Sequence, residues 1–266
     1  MTAPCVSITT PARLRTQFLP RIARCVLAQT VSWEWVVHDD SPTPDAFMQR
    51  LARDDARVRY IHSPEPMTIG AKRNAMIDAA CSPHIAHFDD DDVYTPTYLE
   101  HMLATMTQAK ADMLKLSGFF LYAPACDFFG YLDLQAATGW HFHVTGDNFV
   151  PIDLRGENKP GEEFPVFYGF SYLYRRDLAM KLYFEDVSLF EDARFAVAWV
   201  NRGYNFATTN FAARECLHYV HPGSTARTLA TYRIPNFMMH DLFPYCAQLD
   251  AEYTLTFRSV EQVPGL

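Results

Sequence analysis

Short apolar runs alternate with amphipathic stretches through the first part of the chain. Val6–Thr10 predicts a buried strand. Between Leu14 and Gln29, apolar residues at Leu19, Ile22, Val26 and Leu27 have helical spacing. Trp33–Val37 predicts a second strand, ending in His38-Asp39-Asp40-Ser41-Pro42, and Asp45–Ala52 a helix. Val58–His62 predicts a third strand, Gly70–Cys81 an Ala-rich helix, and His84–Phe88 a fourth strand running into Asp89-Asp90-Asp91-Asp92. Thr95 is expected to cap the next helix, with Pro96 at its first position and an end near Gln108.

That alternation implies an α/β fold: parallel strands joined by right-handed crossovers, with helices on both faces. Ligands of such sheets bind beyond the carboxyl ends of the strands. Asp39, Asp40 and the four-aspartate run all fall at such ends.

The second half is less regular. Met113–Tyr122 reads as extended, and Ala123–Pro165, rich in aromatics, Gly and Pro, as a long loop or small insertion. Val166–Tyr174 reads as a strand. Phe190–Arg202 reads as a helix with Ala193, Ala196, Val197 and Val200 on one face and Gly203 as its stop. Phe206–Thr209 and Glu215–Tyr219 predict short strands, and the tail from Thr228 shows no period.

Composition narrows the class. At 49% hydrophobic and 20% charged residues the chain is globular rather than disordered. With 266 residues and no repeat or linker, one large domain is favoured. A net charge of −8 argues against nucleic acid as partner, because phosphate contacts need a basic face. The six cysteines form no C-x-x-C pair, which suits reduced thiols. There is no leader pattern and no apolar run long enough for a transmembrane segment. The expected location is cytoplasmic, with peripheral membrane contact left open.

Four consecutive aspartates repel one another unless a counter-charge is present or some stay protonated. A divalent cation with oxygen ligands relieves this, Mg²⁺ typically joining one or two carboxylates to substrate phosphates; a solvated acidic turn is the simpler alternative. Asp39-Asp40 suits a turn, or hydrogen bonds to a nucleobase or ribose. Lys72 and Arg73, near a helix start, suit a phosphate or merely a charged surface. Glu191-Asp192 suits helix-end electrostatics, or a general base. His218 and His221, and His141 and His143, lack zinc spacing, but a lone histidine can complete a carboxylate and phosphate shell around a metal. Phe128, Phe129, Trp140 and Phe142 are many aromatics for a loop; most are expected in the core, with Trp140 the candidate for an acceptor groove.

Five segments in order resemble a family 2 glycosyltransferase, the inverting kind with the GT-A fold. They are Val6-Ser-Ile-Thr-Thr-Pro11, Trp35-Val-Val-His-Asp-Asp-Ser41, Gly70-Ala-Lys-Arg-Asn-Ala75, His87-Phe-Asp-Asp-Asp-Asp-Val-Tyr94, and Phe184-Glu-Asp-Val-Ser-Leu-Phe-Glu-Asp192 followed by Phe195. The resemblance spans roughly residues 5 to 225. It departs at Pro11-Ala-Arg-Leu14, where relatives usually carry Pro-Thr-Tyr-Asn, so the Thr and Tyr that often line the base pocket are replaced.

The resemblance implies a Rossmann-like, mostly parallel central sheet with a smaller acceptor-side region. It implies a catalytic domain over 1–227, with a nucleotide-binding half (1–110) and an acceptor-binding and catalytic half (111–227), and a C-terminal extension (228–266) packed on it. Nucleotide contacts are expected from Thr10, Pro11, Arg13, Asp39, Asp40, Lys72, Arg73, Asp89 and Asp90. Asp91, Asp89 and His221 are expected to hold Mn²⁺ or Mg²⁺, with His218 the rival of His221. Asp192 is the expected base and Glu191 its neighbour that orients a substrate. The implied partners are a nucleotide-sugar donor, UDP-linked by the family's habit, and a carbohydrate, lipid-linked or small-molecule acceptor. Two alternatives stay open: a sugar-phosphate nucleotidyltransferase, which would usually show a Gly-rich loop that Thr9–Arg15 lacks, and a non-catalytic nucleotide-sugar-binding relative.

Overall fold

The computed structural model describes residues 4–210, 213–224 and 228–246. In chain order these form β1 (Val6–Ala12), α1 (Leu19–Leu27), β2 (Trp33–Asp39), α2 (Ala46–Asp54), β3 (Val58–His62), α3 (Ile69–Ala79), β4 (His84–His87), β5 (Val93–Tyr94) and α4 (Tyr98–Ala109). There follow β6 (Met113–Leu116), β7 (Gly118–Ala123), β8 (Phe128–Asp133), β9 (Trp140–Val144), β10 (Phe149–Asp153), β11 (Leu173–Arg175) and α5 (Arg176–Ala179). The last elements are α6 (Glu191–Asn201), β12 (Phe206–Thr209), β13 (Cys216–Tyr219), β14 (Thr228–Ala230), β15 (Tyr232–Ile234) and α7 (Phe237–Leu242). None of these helices is long and apolar enough to cross a membrane.

The central sheet runs β12-β6-β11-β4-β1-β2-β3. All its strands are parallel except β11, which is antiparallel to both β4 and β6. This is the α/β, mostly parallel sheet that the pattern predicts. β2 is buried at every position and β1 at all but Pro11, as strands covered on both faces must be. Successive residues feed opposite layers: Ala86 and Leu114 join the main core with α1 and α4, while Ile85 and Met113 join a second cluster with Ile77 of α3 and Phe195 and Trp199 of α6.

Several expected boundaries are corrected. α1 starts at Leu19 rather than Leu14: Leu14 is left-handed (φ 55°) and exposed, and Pro20 sits in the first turn. Leu27, expected on the apolar face, is exposed too. α4 is entered at Thr97, because the Thr95 N–H donates to the Glu215 carbonyl at 2.8 Å instead of starting the helix. In α6 the buried face is Ala193, Phe195, Ala196 and Trp199, and Val197 and Val200 are exposed. Two large aromatics four residues apart bury more apolar area than the valines, and that sets the helix's rotation.

The largest correction concerns 123–165. It is not a loop: β8 pairs with β7, and β9 with β10. The tail supplies the missing edges, β15 pairing with β8 and β14 with β9, and it sends Ala230, Met239, Phe243 and Cys246 into the main core. The remainder of the expected extension, 247–266, lies outside the described residues. Most of the expected strand Val166–Tyr174 is a pair of 3₁₀ turns, Phe164–Val166 and Gly169–Ser171, leaving only β11 extended.

Candidate active site

A cleft of ≈ 740 Å³ opens beyond the carboxyl ends of the central strands. Pro11, Arg13, Arg15, Lys72, Arg73 and Asp89–Asp91 line one side of it, and Phe164, Phe167, Tyr168, Phe190, Glu191 and Asp192 the other.

The aspartates divide by partner. Asp92 is fully buried and accepts from the His218 ring at 2.8 Å and the Tyr219 N–H at 2.9 Å, so it ties the run to β13. Asp91 lies 3.1 Å from Nε2 of His221, and its backbone carbonyl accepts from Arg21. Asp90 faces Arg15 at 3.4 Å, and Asp89 faces Arg73 at 3.5 Å.

Burial pushes the Asp89 carboxyl up to about 7, against the pull of Arg73 and with the help of Asp92 and Asp91. Burial and the charge of Asp91 raise Asp90 well above the carboxylate range. For Asp91 burial also pushes upward, but the His221 hydrogen bond and Arg15 outweigh it and hold the carboxyl below its usual range.

Among the described residues no three His, Cys, Asp or Glu side chains are gathered into a ready coordination shell. The donor types nevertheless fit a divalent cation. Asp91 and His221 already adjoin, and a buried Asp89 oxygen, Oδ1, has no hydrogen bond.

Two expected nucleotide contacts are taken up within the protein. Asp40, fully buried, accepts from Lys72 Nζ (2.7 Å), the Met67 N–H (2.7 Å) and Arg13 (3.2 Å), which together hold its carboxyl below the usual range against the upward push of burial. Asp39 accepts from Ser41 and, at 2.6 Å, from the Tyr60 hydroxyl. Neither aspartate lines the cleft. Thr10 is likewise buried, between the Phe88 carbonyl and the Trp35 indole.

The start of α3, the expected phosphate site, is likewise engaged within the protein. Its first N–H groups serve Ser188 Oγ, the Val187 carbonyl, Thr68 Oγ1 and the Thr68 carbonyl. Lys72 Nζ is spent on Asp40 and the Ala12 carbonyl. Of the cations lining the cleft, Arg13 is the most accessible, with a side chain 39% exposed.

The segment 184–190 carries the Glu191-Asp192 pair and is docked on α3. Asn74 exchanges two hydrogen bonds with the Phe184 backbone (2.7 and 2.9 Å), and Phe184 stacks on Phe195 with ring centroids 3.9 Å apart. Gly70 permits this approach, because a Cβ there would collide with the Glu185 carbonyl. Gly70→Ala is expected to cost about 1–3 kcal/mol, the usual penalty of overpacking, read as a lower urea midpoint with unchanged slope. Wild-type stability in that variant removes the docking argument.

Arg73, buried, connects the two sides of the cleft. It lies 3.5 Å from both Asp89 and Glu191 and donates to His87 Nδ1 at 2.9 Å. Burial and the Arg73 charge push the His87 imidazole well below its usual range, so the ring is neutral; its Nδ1 also lies 2.9 Å from the Gly169 carbonyl. Glu191 is 6% exposed, turned onto Arg73, and raised by burial. Asp192 lines the cleft, its Oδ2 accepting from the Gly169 N–H at 2.7 Å and its Oδ1 from the Ala193 N–H at 2.7 Å. Gly169 allows that contact: a Cβ there would stand 2.6 Å from Cβ of Asp192.

Trp140 is 63% exposed and is not among the cleft-lining residues. The aromatics Phe167, Tyr168 and Phe190 line the cleft, as does His143 of β9. Sequence reasoning missed Arg15, Tyr168 and Gly169. Gly169 carried a usable signal, a glycine inside an apparent strand, which often marks close backbone approach.

The sequence model of "Glycosyl transferase family 2" matches residues 7–183. Over 123 residues the chain is 35% identical to the "Putative colanic acid biosynthesis glycosyl transferase WcaA" of Escherichia coli (strain K12), an alignment covering 45% of this chain and 42% of that protein. Among solved structures it is similar to S. aureus TarS 1–349 in complex with UDP-GlcNAc, with TM-score 0.57 and 15% identity over 82% of this chain and 59% of that one. It is also similar to the mannosyltransferase PcManGT from Pyrobaculum calidifontis in complex with GDP-Man and Mn²⁺, with TM-score 0.58 and 14% identity over 82% of this chain and 57% of that one. These likenesses show the GT-A fold. The family match takes in more than half of the chain, the acidic run included, and the chain belongs to glycosyl transferase family 2.

Proposed function

We propose that the protein is an inverting glycosyltransferase that moves a sugar from a nucleoside-diphosphate donor, UDP-linked in the first instance, to an acceptor hydroxyl. The observation that carries this reading is one cleft holding both the Asp89–Asp91 run and Asp192, with buried Arg73 between them. The UDP-GlcNAc and GDP-Man bound in the two similar structures support a nucleotide-sugar donor.

Asp91 and His221, with Asp89, would hold Mn²⁺ or Mg²⁺. Such a cation supplies Lewis acidity to the diphosphate oxygens. Arg13 and Arg15 offer positive charge at the cleft wall. Asp192 accepts the acceptor hydroxyl's proton as the oxygen attacks the anomeric carbon. The sugar–phosphate bond breaks on the opposite face, its electron pair leaving with the nucleoside diphosphate, and configuration inverts. Both acids line the cleft, and Asp192 fits the base better because Glu191 is buried and paired with Arg73. The aromatic wall of Phe167, Tyr168 and Phe190 suits an acceptor sugar's apolar face.

The test is a thermal-shift panel of UDP, GDP, UDP-GlcNAc and GDP-mannose, each with and without Mn²⁺. A Mn²⁺-dependent rise in Tm is expected, larger for UDP than for GDP, and Asp91→Ala should abolish its metal dependence without unfolding the protein. Tight GDP binding with no response to UDP rejects uracil as the base. An unchanged Mn²⁺ response in Asp91→Ala rejects the metal assignment.

A further inference from the structure

Lys115 lies in β6, in the middle of the domain, and is 0% exposed. Its Nζ donates to the Pro165 carbonyl at 2.9 Å, and no carboxylate among the described residues forms an ion pair with it. A buried ammonium held by one neutral oxygen is costly.

What it holds is informative. Pro165 belongs to the 3₁₀ turn Phe164–Val166. The Tyr172 hydroxyl donates to the Val166 carbonyl and lies 3.3 Å from the Asp192 carbonyl. Tyr168, left-handed at φ 70°, then delivers the Gly169 N–H to the Asp192 carboxylate. Ser171 Oγ accepts from the Leu116 N–H, beside Lys115. The segment 164–171 is thus pinned at both ends to β6 and presents one N–H to Asp192.

We propose that Lys115 is a positioning residue for the catalytic base, fixing the segment that orients Asp192. This rests on Asp192 being the base. Burial pushes the Lys115 ammonium down to about 7, and the charge opposing that push is Asp192. Asp192 in turn is faced by Arg73 from α3, by Glu191 beside it, and by Tyr168 and Tyr172 from the pinned segment.

The first test needs no substrate. The chain has five lysines, and Lys110, Lys159 and Lys181 are exposed and replaceable by arginine. NMR of lysine-labelled protein then follows Lys72 and Lys115, told apart because Lys72 sits on Asp40. Lys115 should titrate near neutrality and shift downward in Asp192→Asn, which removes the opposing charge. No shift in that variant overturns the proposal, whether or not Asp192 is the base.

The second test is the turnover of Lys115→Met, read as nucleoside-diphosphate release from whichever sugar of UDP-GlcNAc and GDP-mannose turns over. A fall of about 10-fold or more in kcat is expected, on the scale of a misplaced reacting group, with KM for the sugar nucleotide kept. Wild-type kcat in Lys115→Met overturns the proposal. Full turnover in Asp192→Asn rejects the base assignment instead, and leaves the NMR shift to report the Lys115–Asp192 coupling alone.

Discussion

Asp192→Asn loses about 10²–10⁴-fold in turnover, the usual cost of removing a general base, while donor affinity stays near wild type. The substitution keeps the side chain's shape and removes its proton affinity. It also has a structural cost that can be separated out. The carboxylate accepts from two backbone N–H groups, Gly169 on one oxygen and Ala193 on the other. An asparagine has one oxygen, so one N–H loses its acceptor, at roughly 1–3 kcal/mol. A modest fall in Tm is therefore expected beside a large fall in kcat. Glu191→Gln should do the reverse, because Glu191 is buried against Arg73 and its charge is structural. It should lose stability and keep more of its turnover. Steady-state release of nucleoside diphosphate, measured on both variants with Tm as control, decides the matter. If Glu191→Gln loses more turnover than Asp192→Asn, the base is Glu191. If both retain near-normal turnover, the pair is helix-end electrostatics.

The parallel half of the sheet was legible in the sequence because its strands are buried on both faces and read as short runs rich in β-branched and aromatic residues: Trp33–Val37 and Val6–Thr10 stand out against the helices between them. The region 123–165 was not legible, because its sheets are completed by strands from far along the chain. β8 and β9 are edged by β15 and β14 from a tail with no period of its own. A short strand whose partner lies about a hundred residues away leaves little local signal. The acids at the strand ends were found from position alone. Their partners were not, since Arg15–Asp90, His221–Asp91 and Lys72–Asp40 are matters of tertiary approach. The internal partners of Lys72 and of the start of α3 were not legible either. A charge or a helix end visible in sequence says nothing of whether another part of the chain has already taken it, as Asp40 and the 184–188 segment have.

Arg73→Met should be the most damaging single change to stability in the cleft, about 3–5 kcal/mol, the cost of stripping the partner from buried charges. Arg73 is 4% exposed and stands between Asp89 and Glu191, each 3.5 Å away. Both carboxyls already sit above their ordinary range. Burial is the main cause, and Arg73 is what opposes it. Without the guanidinium both rise further. The sign of the pH dependence follows. An acid whose folded value is raised binds more protons in the folded state, so its stabilising share is complete at low pH and is lost as pH climbs through the folded value. For Asp89 in the wild type that window runs from the ordinary value of 3.8 to about 7. In the variant it extends upward and includes Glu191. The stability gap between wild type and Arg73→Met should therefore be widest above neutrality and shrink as pH falls below about 7 and Asp89 takes up its proton. Urea denaturation across that range, without added divalent cation, reads the gap directly. A gap that stays constant with pH would mean that Arg73 contributes packing against Phe184 and His87 rather than charge, and would remove it as the electrostatic link between the two sides of the cleft.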